Sequence, residues 1–418
     1  MDHPLDFDPQ LPDLRLAFDR DLVIQLFEQH WPPTAAPPQK ILSCRLRDTK
    51  YQPATRCLAT YDLALELADG AMRQTIGVVE VDPSGLAHRL YNDDPKLPWL
   101  LPAADPIGMR ERFATLLKTD RNATATACIA TPVRYRAGAR CVFRYDLATT
   151  TGEHVFFGKL IGQDADRFMI TVTALHHASL ELPDMARILP PLAYWPDVHM
   201  LVQPEVAGRA ELNDLAFDPA TNSAARERWL RDAGRRLAGL HSVANVDGPP
   251  RTLDDDLSEL EEYIAPMEIV DAQLAERYTG AIVAIRELAR ARTEPAPVAS
   301  HGAFRTDQFM IEDDRLVMID LDGFCWSSPA RDIGNYMAYL RWKTIRQPGR
   351  AALIEQAGQL LRAGYQVLRQ LPDPHWQAIY EADSMLKIAG RRFRSLTTKE
   401  WYLVPALIDG ARQALEVR

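Results

Sequence analysis

The sequence predicts an α+β chain, with β-rich N-terminal residues followed by a mainly helical C-terminal half. Three observations carry this. A strand-forming segment occurs twice before residue 165, helical periodicity takes over after about residue 206, and a short apolar strand inside the helical half ends in an acid, Asp320.

The duplication is read from Cys44–Ala64 against Cys128–Ala148, which align without a gap. Cys44/Cys128, Tyr51/Tyr135, Arg56/Arg140, Cys57/Cys141, Tyr61/Tyr145, Asp62/Asp146, Leu63/Leu147 and Ala64/Ala148 are identical, far more than composition alone supplies. Alternation of Arg140, Val142 and Arg144 with Cys141, Phe143 and Tyr145 fits a half-buried strand. Each copy turns (Ala68-Asp69-Gly70; Thr151-Gly152-Glu153) into a further strand, Gln74–Val81 or His154–Ile161. Residues 40–82 and 124–162 are therefore expected to share one hairpin arrangement. Aligning Gly77 with Gly158 sets Val78 opposite Lys159, so only the second copy carries a mid-strand lysine. Such a lysine either faces solvent or has a partner for its amine.

Met200–Gly208 reads as a strand stopped by Pro204 and Gly208, after which helices dominate. Leu230, Ala233, Leu237 and Leu240 recur at helical spacing, Leu253–Ala291 reads as a second helical stretch, and Leu353–Leu371 and Ile379–Leu415 follow, with a break near Pro405. The acids Asp254, Asp255, Asp256, Glu259, Glu261 and Glu262 either attract a polycation or simply begin a solvated helix.

Composition narrows the function. A formal charge of −9 argues against a nucleic-acid partner. No apolar run is long enough for a membrane span, and the N-terminus lacks the basic and apolar regions of a signal peptide. Five cysteines without Cys-x-x-Cys spacing read as buried thiols in a reducing compartment. The expectation is a cytoplasmic protein.

The densest signal is His301-Gly302-Ala303-Phe304-Arg305-Thr306-Asp307-Gln308, then Val317-Met318-Ile319-Asp320-Leu321-Asp322, then Pro329-Ala330-Arg331-Asp332. An acid at the end of a buried strand is costly unless something compensates it, and a divalent cation does so. These segments resemble the catalytic end of the aminoglycoside phosphotransferase and choline-kinase-like families, from about residue 121 onward. The resemblance implies a bilobal protein-kinase-like fold, with a duplicated small β-lobe, in three parts: an N-terminal cap at 1–120, similar to that of maltokinases, an N-lobe at 121–205 and a helical C-lobe at 206–418. It also implies ATP (or GTP) and Mg²⁺, with transfer to a hydroxyl of a small metabolite.

Residue roles follow from the same resemblance. Lys159 holds nucleotide phosphates; Gln203, Glu205 and Val206 form the hinge that binds the base; Gly138 and Arg140 belong to a thin glycine loop, unless they only decorate a turn. Asp320 binds metal, with Gln308 at the family's Asn position, and Asp322 either takes a second metal position or orients the loop. His301, Gly302 and Arg305 shape the loop, and Asp332 bonds its backbone or caps the next helix. The sequence departs from the pattern at Ala303, which stands where the family has its catalytic Asp, at Arg305 in place of His, and after Lys159, where only Asp164 and Asp166 are nearby acids. Asp307 is a weak substitute base. The alternative is a catalytically silent pseudokinase that binds a nucleotide, a ligand or a protein partner.

Overall fold

Two aspartates organise the N-terminal unit in the same way. Asp8 accepts hydrogen bonds from the Tyr51 hydroxyl at 2.7 Å and the Ala54 amide at 3.0 Å. Asp94 accepts from the Tyr135 hydroxyl at 2.7 Å and the Gly138 amide at 2.6 Å. The computed structural model describes residues 8–32, 37–121, 123–161, 165–206, 210–396 and 400–416. Its chain divides into a unit of Met1–Asp166, Pro191–Glu205 and Arg394–Thr398, and a second unit of Arg167–Pro190, Val206–Phe393 and Lys399–Arg418.

The chain runs α1 (Arg20–Gln29), β1 (Lys40–Gln52), β2 (Arg56–Glu66), β3 (Met72–Asp82), β4 (Gly85–Leu90), α2 (Leu100–Ala104), α3 (Pro106–Arg121), β5 (Ala125–Arg136), β6 (Arg140–Thr149) and β7 (Gly152–Leu160). After α4 (Ala165–Glu181) come β8 (Ala193–Trp195) and β9 (Met200–Pro204). The first sheet is ordered β1-β2-β3-β4 and the second β5-β6-β7-β9-β8. Equivalent pairs hold equivalent register: Cys44 opposite Leu63 and Tyr51 opposite Cys57 in one, Cys128 opposite Leu147 and Tyr135 opposite Cys141 in the other. Each pair has two register shifts: the first is equivalent, between Ile41 and Ser43 and between Ala125 and Ala127, while the second falls between Leu46 and Asp48 in β1 but between Pro132 and Arg134 in β5.

The repeat is longer than the strands. Asp8-Pro9-Gln10-Leu11-Pro12-Asp13-Leu14 recurs as Asp94-Pro95-Lys96-Leu97-Pro98-Trp99-Leu100. Asp19 caps α1 through the amides of Asp21 and Leu22; Asp105 bonds the amides of Ile107 and Gly108 at the start of α3. The Ala17 carbonyl accepts from the Tyr61 hydroxyl, and the Ala103 carbonyl accepts from Tyr145 at 2.7 Å. Each module is thus a loop, a capped helix and an antiparallel meander. The second begins at Asp94, so a domain boundary at 120 falls inside it.

Register also corrects the alignment of the third strands. Leu58 pairs with Glu80 in the first module, and its counterpart Val142 pairs with Lys159 in the second. Lys159 therefore corresponds to Glu80, not Val78, because the first module's turn is five residues longer rather than three. Glu80 is occupied by Arg89 at 2.8 Å and Arg56 at 3.8 Å.

The second unit carries β10 (Ala210–Glu211), α5 (Leu212–Phe217), α6 (Ser223–Leu240), α7 (Leu253–Glu261), α8 (Ile264–Val270), α9 (Ala272–Arg290), β11 (Val298–Ser300), β12 (Phe309–Glu312), β13 (Arg315–Met318), β14 (Cys325–Ser327), α10 (Pro329–Arg346), α11 (Ala351–Tyr365), α12 (Pro374–Ser395) and α13 (Val404–Leu415). The helical stretch expected over 253–291 is three helices, broken at Glu262–Tyr263 and at Asp271, which leaves helical geometry and caps α9 through the Leu274 amide. Leu230, Ala233, Leu237 and Leu240 of α6 join Phe304, Phe309, Tyr336 and Leu361 in one core. Four of the five cysteines are buried, and burial pushes the Cys57 thiol up to about 12. Among the described residues no helix is long and apolar enough to cross a membrane.

Candidate functional site

The loop between β11 and β12 is built around one buried carboxylate. Asp332, in the first turn of α10, accepts from the His301 amide at 2.7 Å and the Gly302 amide at 2.9 Å. His241 Nε2 donates to it at 3.1 Å, and the Tyr365 hydroxyl lies 2.9 Å from His241 Nδ1. With Asp332 acceptor-only, the His241 Nε2–H is the donor of the bond between them. Burial alone would raise the Asp332 carboxyl, but hydrogen bonds and charge from His241 and His301 hold it below its usual range. Ser328, not Asp332, caps α10.

The same loop fixes the strand end that carries Asp320. His301 Nε2 bonds the Ile319 carbonyl at 3.1 Å, and the Ile319 amide donates to the Gln308 carbonyl at 2.9 Å. Asp320 itself is half-buried in left-handed geometry, φ 59° and ψ 49°. Gly302, at φ +80°, has no room for a side chain, since a Cβ would lie 2.0 Å from the Gly323 carbonyl oxygen. Loop and strand end therefore form one braced assembly.

Around that assembly the expected residues divide. Ala303 is exposed and brings no carboxylate. Asp307 lies 3.1 Å from Arg305 Nε and accepts from Gln308 Nε2 at 3.3 Å, so it is already engaged. Arg305 also sits 5.5 Å over the Tyr339 ring. Gln308 is buried and Asp322 exposed. Among the described residues no group of three His, Cys, Asp or Glu side chains is placed to hold a metal. The Asp320 carboxylate and Gln308 amide oxygen are hard donors of the kind Mg²⁺ takes when nucleotide phosphates complete its shell.

In the other unit, Lys159 is half-buried on β7, between Val142 of β6 and Leu201 of β9. Gln203 pairs with Phe157, the Glu205 amide donates to the Val155 carbonyl at 3.4 Å, and the chain passes from this unit to the second between Glu205 and Val206. The Gly138 amide is committed to Asp94, as that of Ala54 is to Asp8, so this turn is a shared structural device that also holds Arg140 at the start of β6. Asp164 lies outside the described residues; Asp166 is exposed at the start of α4, and no acid follows on that helix before Glu181.

A cavity of 480 Å³ in the helical unit opens beside Gly302 and Ala303, lined also by Asp322, Tyr339, Trp342 and a group of cations. On one wall Asp256, fully buried, takes Arg251 at 2.9 Å, Lys387 at 2.6 Å and the Arg331 guanidinium. Lys387 also bonds Asp383 at 3.0 Å. Burial, with Asp256 nearby, pushes Asp383 up to about 6 against the pull of Lys387 and Arg331. The expected acidic cluster is thus partly internal: Asp256 is neutralised and Asp255 forms a capping box with Thr252. His241 meets Tyr365, and Lys387 of α12 meets Asp256 of α7, only through helix packing, so motif reading does not see these contacts.

The model of the phosphotransferase enzyme family matches residues 162–371, half of the chain. The chain belongs to that family. It has the family's protein-kinase-like fold, α+β with a β-sheet N-lobe and a helical C-lobe. Similar solved structures include a choline/ethanolamine kinase family protein from Mesorhizobium loti, at 14% identity and TM-score 0.46, covering 69% of this chain and 88% of that one. An amicoumacin kinase in complex with AMP-PNP, Ca²⁺ and its antibiotic gives 14% identity and TM-score 0.48, covering 68% and 88%. An aminoglycoside phosphotransferase from Streptomyces rimosus gives 17% and 0.40, covering 67% and 97%. No curated protein matches the sequence. The matched residues include the whole motif from His301 to Asp332.

Proposed function

We propose that this family member is an ATP-dependent phosphotransferase that acts on a small molecule with Mg²⁺ as its metal. The observation that carries the reading is the brace from Asp332 through His301 to Ile319, which fixes the loop and the carrier of Asp320 as one piece. Phosphoryl transfer depends mainly on positioning and charge neutralisation, which such a piece supplies. Asp320 and Gln308 would hold Mg²⁺, which when bound neutralises charge on the transferred group. Lys159 would meet the nucleotide phosphates, and Gln203, Glu205 and Val206 the base. Asp322 would orient the loop or share the metal.

A silent pseudokinase is the second reading, favoured by Ala303, since losing a general base costs about 10²–10⁴ in rate. A nucleotide titration by calorimetry tests the common part of both. ATP with Mg²⁺ is expected to bind to wild type and to be weakened sharply by Asp320→Ala and Lys159→Ala. Absence of binding by millimolar ATP and GTP would remove the phosphotransferase reading and leave only a pseudokinase that binds another ligand or a protein partner. Nucleotide binding without ADP formation on any acceptor would leave the pseudokinase.

A further inference from the structure

The cavity beside Ala303 is built for negative charge. Six cations line it, Arg251, Arg305, Arg331, Lys387, Arg391 and Arg392, against the carboxylates of Asp256, Glu259 and Asp322. Arg251, Arg331 and Lys387 are spent on internal acids: Asp256 takes all three, Glu259 takes Arg251 at 2.6 Å and Asp383 takes Lys387. Arg305 has Asp307 at 3.1 Å, so the excess comes from Arg391 and Arg392. Arg391 makes no ion pair among the described residues and is exposed. Arg392 shares the single carboxylate of Glu400, 2.6 Å away, with Arg346 at 3.2 Å, and these two guanidinia both lie against the Trp342 ring, at 4.9 and 4.8 Å. Burial and the charges of Arg346, Arg391 and Arg305 hold Arg392 below the usual arginine range, despite Glu400.

A second observation is independent of charge. Trp342 Nε1 is buried and has no hydrogen-bond acceptor among the described residues. Arg305 Nε is buried too; it lies 3.1 Å from Asp307 but without hydrogen-bond alignment. Both donors belong to residues that line the cavity, and a buried donor without an acceptor is unfavourable. Polycations and choline-like amines would meet a repulsive field among these cations.

The third observation is chemical. A hydroxyl acceptor must lose a proton during transfer, and Ala303 removes the family's group for taking it. A carboxylate or phosphate oxygen has none to lose.

We propose that the acceptor of this phosphotransferase is an anion whose attacking oxygen is already deprotonated, a carboxylate or a phosphate held by Arg305, Arg391, Arg392 and Trp342. The inference rests on the phosphotransferase reading. In the transfer, a bond forms between the acceptor oxygen and the γ-phosphorus of ATP, and the bond from that phosphorus to the β,γ-bridging oxygen breaks. The electron pair leaves on ADP, and no proton moves. With a carboxylate the product is an acyl phosphate; with a phosphate it is a diphosphate.

The test begins without nucleotide. Succinate, phenyl phosphate and inorganic phosphate, none of which carries an alcohol, are titrated by calorimetry at low salt beside glucose, choline and kanamycin. At least one anion is expected to bind, with affinity falling about tenfold or more in Arg391→Glu and in Arg305→Ala and unchanged in Arg45→Ala, an exposed arginine of the other unit. Binding of choline or kanamycin but of no anion would overturn the proposal, and so would anion binding indifferent to both arginine variants, or no anion binding at all. The second arm adds ATP and Mg²⁺. ADP release with the bound anion is expected to fall in Ala303→Asp, which sets a carboxylate beside the attacking oxyanion; a rise confined to glucose or another alcohol would show that a hydroxyl acceptor lacked its base. Hydroxylamine trapping of the product separates a carboxylate source from a phosphate one. Failure of ATP to bind would sink the phosphotransferase reading while leaving the anion titration to stand or fall by itself.

Discussion

The carboxylate of Asp332 accepts a hydrogen bond from the backbone amide of His301 at 2.7 Å, across 31 residues of chain. With the Gly302 amide and His241 as further donors, one fully buried acid ties α6, the loop and α10 together. A buried charge is tolerated when its oxygens are saturated in this way, and its removal strands every donor it served.

Asp332→Ala is accordingly expected to cost about 3 kcal/mol or more, read from denaturant unfolding. The Asp332 carboxyl sits below its usual range when folded, so its stabilisation is present above the unfolded value of about 3.9 and is lost as pH falls through the folded value. Asp332→Asn should therefore flatten the acid limb of the stability profile below about pH 4. An unchanged acid limb would show that the bonds contribute nothing.

Asp383 carries the opposite sign. Burial raises its carboxyl to about 6, so the folded protein holds a proton there that the unfolded chain releases near pH 4. Its contribution to stability declines as pH rises from about 4 through about 6. The melting temperature of Asp383→Asn relative to wild type should thus increase across that interval. Parallel melting curves would contradict the shift.

Gly302→Ala is expected to destabilise the loop and depress nucleotide-dependent turnover, because a Cβ at φ +80° meets the Gly323 carbonyl oxygen at 2.0 Å. Backbone cannot yield there as a flexible side chain would. Activity and melting temperature equal to wild type would exclude the close approach.

The two modules offer an internal comparison. Tyr135→Phe removes a bond to Asp94, which is buried, whereas Tyr51→Phe removes one to Asp8, which is only half-buried. The first should cost about 1–3 kcal/mol and the second less. Equal losses would mean that exposure of the acid makes no difference.

These sites also show what was legible in the chain. Strand identity between Cys44–Ala64 and Cys128–Ala148 was readable because register preserves a constant offset. The Asp-Pro-x-Leu-Pro-x-Leu loops were overlooked, since between Asp8/Asp94 and Cys44/Cys128 the offset changes by two residues. Register likewise overruled the glycine alignment and moved the counterpart of Lys159 from Val78 to Glu80. His301, Gly302, Gln308, Asp320 and Asp332 form a linear motif and were legible as one. The network of Asp256, Arg331, Lys387 and Asp383 was not, because its members come from α7, α10 and α12 and their pairing depends on packing alone. Composition did not reveal the cationic cavity either: a chain of formal charge −9 can still concentrate arginines on one wall.

The central claim is that this chain transfers phosphoryl groups through a site built on Asp320. The most direct measurement is ADP formation from ATP and Mg²⁺ by wild type and Asp320→Ala, across anionic, neutral and cationic acceptors, with products followed by mass spectrometry. The account predicts an acceptor-dependent product 80 Da heavier from wild type, about the mass of one phosphoryl group on the chemistry of transfer, and its loss in Asp320→Ala. Equal product from both proteins would contradict the claim, as would no product from wild type with any acceptor.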